Sequence, residues 1–222
     1  MSFRVDLHTH SYGSPDGKMT AKDYKKALLS GRLDYIAITD HDTISAAQEI
    51  KAELSEDLGK RIIVGEEITT KQGELIGLYL SEPVSPGQTL RETAKEIRAQ
   101  GGFVYVPHPF ETVRKGVGKG ALDDIADLVD IVETWNGRAV FQNKSKQARD
   151  WASEHSKPEA CSSDAHGKRG WGRSYSVIYR RPKKINLPEL LADGLQRRRT
   201  VHLGVLYPKY NRVRKRLKRD NE

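Results

Sequence analysis

The sequence predicts an α/β fold built on a parallel sheet. Short β-branched or aromatic runs alternate along the chain with longer amphipathic stretches. Runs such as Tyr35-Ile36-Ala37-Ile38 are apolar without interruption, as in strands buried on both faces. The punctuation agrees: Thr opens three of the amphipathic stretches, where an N-cap is wanted, and Gly stands just past three, where a left-handed residue is wanted. The pattern alone leaves open whether the sheet stays flat or closes into a barrel.

The elements follow in order. Phe3–Leu7 is a strand, Thr20–Ser30 a helix ended by Gly31, and Asp34–Thr39 a second strand. Thr43–Leu58 is a helix ended by Gly59, followed by the strands Arg61–Gly65 and Leu75–Leu80. Thr89-Leu90-Arg91-Glu92 fits a capping box and opens a helix to Gln100, ended by Gly101 ahead of the strand Phe103–Val106. Asp130–Thr134 reads as a strand and Ala139–His155 as a helix, with a short segment at Glu159–Cys161 after it. Six of the eight residues from Arg212 to Arg219 are basic, too little apolar surface to fold alone. Residues 1–208 are therefore read as one domain and 209–222 as a basic tail, or a terminal helix that needs a partner.

With 222 residues the chain suits a single packed domain. Its one cysteine, Cys161, excludes an internal disulfide framework and a cysteine-built zinc site. No apolar run is long enough to cross a bilayer, and Met1–Leu7 has no signal-peptide core, so a soluble cytoplasmic protein is expected. The net charge of +8 is split: residues 1–166 carry 21 Lys/Arg and 26 Asp/Glu, whereas residues 167–222 carry 17 and 4. An acidic body joined to a strongly basic quarter suggests a polyanionic partner, with nucleic acid a candidate through residues 168–219.

Five of the seven histidines stand beside strand ends. His8 and His10 follow Val5-Asp6-Leu7, His41 follows Asp40, His108 follows Val106-Pro107, and His166 closes Ser162-Ser163-Asp164-Ala165. Ligands of parallel α/β folds bind outside the carboxyl ends of the strands, so these residues converge on one rim. In extended chain His8 and His10 point to one side, and Asp164 and His166 repeat that spacing. Imidazoles and carboxylates without thiolates suit manganese, iron or zinc. His155 and His202 lack such company and are read as hydrogen-bonded histidines. Gly65-Glu66-Glu67 offers a further carboxylate, but the residues leave open which glutamate faces the site. Asp40 is a candidate for orienting an imidazole, or else a cap for the helix from Thr43. Arg138 follows another strand end and is the candidate for gripping a substrate phosphate. Arg114 and Arg173 are weaker candidates, and Trp135 and Trp171 either stack on a base or simply pack.

Asp6-Leu7-His8-Thr9-His10-Ser11, Ile38-Thr39-Asp40-His41-Asp42-Thr43, Gly65-Glu66-Glu67, Val106-Pro107-His108-Pro109 and Ser163-Asp164-Ala165-His166 resemble the ordered motifs of the PHP (polymerase and histidinol phosphatase) superfamily, over about residues 3 to 180. The resemblance implies a distorted (β/α)7 TIM-like barrel with two or three divalent metal ions at its carboxyl rim. It implies that His8, His10, Glu67 and Asp164 hold one ion, that Glu67 bridges to a second also held by His108, and that Asp16, His41 and His166 hold a third. The family's Gly-x-Glu pattern selects Glu67 over Glu66 and raises Asp16 from a turn residue to a ligand. Many relatives have His where this chain has Glu74; a glutamate ligand there favours manganese or iron over zinc.

The activity so implied is hydrolysis of a phosphoester by a metal-activated water, as a phosphatase of a small phosphorylated metabolite or nucleotide. The alternative is a nuclease acting on nucleic-acid ends, with Arg180, Arg181, Lys183, Lys184, Arg197, Arg198 and Arg199 forming a basic path to the site. A degenerate scaffold module and a C–N hydrolase fit the residues less well.

Overall fold

The computed structural model describes residues 1–140, 142–200 and 206–219; His202 lies outside them. Among these residues nine strands form one sheet: β1 (Phe3–Asp6), β2 (Tyr35–His41), β3 (Ile62–Thr70), β4 (Gly73–Leu78), β5 (Phe103–Val106), β6 (Ile131–Asn136), β7 (Glu159–Ser162), β8 (Tyr175–Ile178) and β9 (Leu195–Arg197). The first seven lie side by side in chain order, with β8 beside β1 and β9 outermost. The sheet curls until β7 returns to β1. Asp164 N donates to His8 O at 2.9 Å and His10 N to Ala165 O at 3.0 Å, joining the two rim ends. On the β8 side Cys161 N donates to Ser176 Oγ at 2.9 Å. The result is a nearly closed barrel.

The sheet is parallel except at β4, β8 and β9. β3 runs on to Thr70, five residues past its expected end at Gly65, and turns through Lys71-Gln72 directly into β4. A parallel crossover needs a dozen or more residues, so this short link forces a hairpin. The antiparallel β4 therefore begins at the rim, and Glu74 with it.

The helices are α1 (Ala21–Leu29), α2 (Ser45–Glu53), α3 (Glu56–Gly59), α4 (Leu90–Ala99), α5 (Lys119–Asp123), α6 (Ser145–Glu154), α7 (Leu187–Ala192) and α8 (Tyr207–Arg219). Thr89 and Glu92 make the expected capping box at α4. The helix expected over 43–58 is broken, because Leu54 and Ser55 are extended. Gly31 and Gly101 are left-handed as expected, at φ 67° and 68°. Gly59 is instead the last residue of α3, where a Cβ would lie 2.8 Å from Lys51 O. The helix expected from Ala139 starts only at Ser145, whose N–H bonds Asn143 Oδ1.

Alternation along the strands sorts the core into two parts. Val5, Leu7, Ala37, Ile63, Ile76, Tyr105 and Ile131 fill one cluster, and Leu187, Leu190 and Leu191 of α7 pack onto it. Ile36, Ile38, Ile62, Val64, Val104 and Val132 belong to the second, with Ile50 of α2 and Ile97 of α4. The strands β2 to β6 are thus apolar on both faces, which is why such strands read as continuous runs. Residue 209, the expected start of a tail, falls inside α8, and Asn211 of that helix is buried. Among the described residues no helix is long and apolar enough to cross a membrane.

Candidate metal centre

The carboxyl ends of the strands deliver the polar residues. The segment after β1 carries His8 and His10, pinned by Thr9, whose hydroxyl bonds Ala37 O at 2.6 Å. His41 ends β2, His108 follows β5, and Asp164 and His166 follow β7. His108 and Asp164 have positive φ, 29° and 50°, which is strained for residues with a side chain and recurs at functional sites. Along β3 the alternation separates the two glutamates: Glu67 meets the histidines, while Glu66 turns away to accept Val84 N at 2.8 Å. Asp16 comes from the turn in which Gly17 N donates to Ser14 O at 3.2 Å.

Glu67 is the hub. Its Oε1 lies 3.2 Å from His108 Nε2 and 3.4 Å from His8 Nε2, and its Oε2 lies 3.2 Å from both His10 Nε2 and His41 Nδ1. Asp164 Oδ1 lies 3.5 Å from His10 Nε2 and 3.3 Å from His166 Nδ1. Asp16 Oδ1 lies 3.4 Å from His166 Nε2 and 3.6 Å from His41 Nε2. Among the described residues the ligand atoms form three groups, each within 4.8 Å: His8, Glu67 and His108; His8, His10 and Asp164; and His10, Asp16, His41 and His166. The last group gains His10, which the family pattern did not assign to it. Glu74 lines a cavity that opens over these ligands but belongs to none of the groups. It pairs instead with Lys115 Nζ at 3.3 Å, and burial, then the charge of Glu67, push its pKa up to about 8.

The electrostatics suit cation binding. Burial opposes charge on Glu67 and Asp164, yet both are held well below the usual carboxylate range: Glu67 by the histidines around it, Asp164 by Arg138, His8, His166 and Arg114. Burial, helped by His10 and Arg138, lowers His166 to about 3, leaving a neutral imidazole as a ligand must be. Asp16 Oδ1 and His166 Nε2 are buried and have no hydrogen-bond partner among the described residues. Orphaned donor atoms on neighbouring imidazole and carboxylate groups are what a divalent ion would satisfy, so the residues fit one.

A layer beneath holds these ligands. Asp40 accepts from Ser11 N at 2.7 Å and from Ser14 Oγ at 2.6 Å, and Ser14 Oγ lies 3.0 Å from His10 Nδ1. Asp40 thus acts on His10 through Ser14; it is not in the wall of the cavity over the ligands and does not cap α2. Glu133, which the sequence reading passed over, does the same for His8. Its Oε1 stands 3.2 Å from His8 Nδ1, and its Oε2 accepts from His108 N at 2.8 Å. The available signal was a charged residue inside the apolar strand Ile131-Val132-Glu133.

A cavity of about 500 Å³ opens over the ligands, with Arg114, Lys115, Arg138 and Arg212 in its wall. Arg138 Nη1 reaches Asp164 Oδ1 at 3.0 Å, and Arg114 Nη1 reaches Asp164 Oδ2 at 2.8 Å while its other nitrogens bond Glu111. A second cavity, about 580 Å³ between Lys157, Leu191 and Arg198, holds none of the ligands. Arg173 is exposed and lies outside the ligand cavity, Trp171 packs on Tyr24 with ring centres 5.0 Å apart, and Trp135 lines a different, small cleft. His155 bonds Trp151 O, as a hydrogen-bonded histidine should. The expected basic path is corrected. Ile178 pairs with Phe3 at the start of β1, so Arg180, Arg181, Lys183 and Lys184 emerge at the amino end of the barrel, opposite the ligands. Arg197, Arg198 and Arg199 do not line the cavity either.

A family model for the PHP domain matches residues 6–169. The chain belongs to the PHP family. An uncharacterized protein of Methanocaldococcus jannaschii, MJ1587, is 31% identical over 150 residues, covering 63% of this chain and 87% of the relative. Among solved structures, a two-domain protein from Bacteroides vulgatus containing a predicted PHP-like metal-dependent phosphoesterase superposes with a TM-score of 0.73 at 18% identity, over 96% of this chain and 70% of that one. The lesion-specific endonuclease PfuEndoQ of Pyrococcus furiosus superposes with a TM-score of 0.63 at 16% identity, over 87% of this chain and 55% of that one. Proteins of quite different description thus share this fold.

Proposed function

We propose that the protein is a metal-dependent phosphoesterase that acts as a phosphatase on a small phosphorylated metabolite or a nucleotide. The observation that carries this reading is five histidines and three carboxylates gathered in three overlapping groups under a cavity of about 500 Å³. That volume suits a nucleotide-sized ligand. Two or three divalent ions, manganese, iron or zinc, held by His8, His10, Asp16, His41, Glu67, His108, Asp164 and His166, would activate water and neutralise charge on the phosphoryl group. Arg138 grips a phosphate oxygen, since it stands in the wall of that cavity. Arg114 is already fixed by Glu111 and holds Asp164 in place. Asp40 and Glu133 keep His10 and His8 aimed. The single buried thiol, Cys161, suits a reducing compartment and hence the cytoplasm.

A nuclease acting on nucleic-acid ends is the second reading, favoured by α8. Lys209, Arg212 and Arg216 are exposed at i, i+3 and i+7, along one flank of a helix whose Arg212 lines the cavity. One screen separates the two. Chelator-stripped protein is loaded with manganese, iron or zinc and given nucleoside monophosphates, small phosphorylated metabolites and end-labelled oligonucleotides. Release of inorganic phosphate alone supports the phosphatase. Stepwise nucleotide release that weakens with salt supports the nuclease. Turnover of none of them with any metal would sink both.

A further inference from the structure

α8 lies beyond the matched residues 6–169, yet it forms part of the cavity wall through Pro208 and Arg212. Its polar anchors fall on two segments of the barrel rim. Asn211 is 2% exposed, and its Nδ2 donates both to Asp16 O at 2.6 Å and to His166 O at 3.2 Å. Lys215 Nζ donates to Ser14 O at 2.6 Å and Tyr12 O at 3.1 Å. Lys18 Nζ lies 5.0 Å from the Tyr207 ring centre, and a Cβ on Gly167 would lie 3.1 Å from the same ring. Segment 12–18 carries Asp16, and segment 166–167 carries His166.

Those two residues belong to one candidate ion position, with His10 and His41. They come from segments 150 residues apart, and Asp16 sits on a turn rather than on a strand. Asn211 is suited to join them. A primary amide has two N–H donors, and here they meet one backbone carbonyl from each ligand residue. Arg212, the next residue, acts in the opposite sense: its Nη2 lies 2.8 Å from Asp16 Oδ2, placing a cation on a carboxylate that an ion would need.

We propose that Asn211 is a positioning residue for the ion held by His10, Asp16, His41 and His166, so that occupancy of this position depends on the docking of α8. The inference rests on the metal-dependent reading above and extends the working metal centre past the matched family region.

The test is manganese titration of the full chain, stripped with chelator, by calorimetry, with bound metal counted by elemental analysis. Asn211→Leu keeps the side-chain volume and removes both donors. It should weaken the lowest-affinity ion roughly 10- to 100-fold, the size seen when a partner supporting a metal ligand is removed. Asn211→Ser, which keeps one donor, should fall between. Arg212→Ala should strengthen the same ion a few-fold, as expected for loss of a competing ion pair whose arginine is exposed. Melting in chelator identifies any variant that fails to fold, and the Arg212 and Ser variants then still decide the matter. Opposite signs at neighbouring residues are not what a merely structural helix would give. Wild-type affinities in Asn211→Leu, or equal losses in the Asn211 and Arg212 variants, overturn the proposal. Absence of manganese binding by the wild type overturns the metal-dependent reading itself, a different outcome.

Discussion

Glu133 and His8 form a buried pair, Oε1 to Nδ1 at 3.2 Å, both fully enclosed by the barrel. The contact leaves His8 Nε2 on the ligand side, beside Glu67 and His10. A carboxylate behind a metal-binding imidazole fixes its tautomer and raises its basicity. Glu133→Gln keeps the shape and removes the charge. It should weaken divalent-metal binding roughly 10- to 100-fold in calorimetry. Unchanged affinity in a folded variant would reduce Glu133 to a packing role.

Replacing His8 and His10 together with alanine removes donors from all three groups. Phosphate release in the metal-loaded assay should fall by about 10³-fold or more, since ion-based charge stabilisation is worth several kcal/mol. A scaffold module would keep its binding partner unaffected by the same change. Persistent turnover would put the chemistry elsewhere.

Arg138 is the guanidinium proposed to meet substrate. Arg138→Ala should lower kcat/KM by roughly 10- to 100-fold, the range of a charged hydrogen bond. Arg138→Lys should restore only part of it, because an ammonium lacks the planar fork. Steady-state kinetics on the substrate found in the screen decides this, and equal kcat/KM in wild type and Arg138→Ala would refute it.

Metal should also stabilise the fold. The donors come from six segments between His8 and His166, so the assembled groups exist only in the folded chain. At a free concentration 100 times Kd, one ion adds about 2.7 kcal/mol. Thermal melting should therefore rise on adding manganese to stripped protein and fall again with chelator. A melting point indifferent to manganese, iron and zinc would argue against an ion site.

Gly17 is a site where space itself is the constraint. A Cβ there would stand 1.9 Å from Ser11 O, so the backbone of the Asp16 turn must move. Gly17→Ala should cost about 1–3 kcal/mol in denaturant unfolding, as overpacking does. It should also weaken the ion position that uses Asp16. Wild-type stability would mean the turn yields more easily than its packing suggests.

The legible parts of this protein are those whose signals are local. Short apolar runs and cap residues placed β1, β2, β5, β6, α1 and α4 to within a residue or two, because both are properties of neighbouring residues. The histidine motifs were equally readable, since few side chains bind divalent ions and the carboxyl ends of strands meet on one rim. Less legible were features set by distant partners. The true extent of β3 and the reversal at β4 depend on chain length between strands, a cue present but outweighed by the expectation of parallel pairing. Glu133 was hidden because a buried carboxylate in an apolar strand has meaning only once His8 is opposite it.

By itself, then, the sequence determined the chemistry available: imidazoles and carboxylates at strand ends, no thiolate competitor, and a basic final quarter. Tertiary structure decided where that charge acts. Because β8 runs antiparallel to β1, Arg180 through Lys184 are carried to the far end of the barrel, while α8 brings Asn211 and Arg212 back onto Asp16. Residue types fix what a site can bind, but strand direction and barrel closure fix which residues share it, and those depend on contacts between segments up to 203 residues apart.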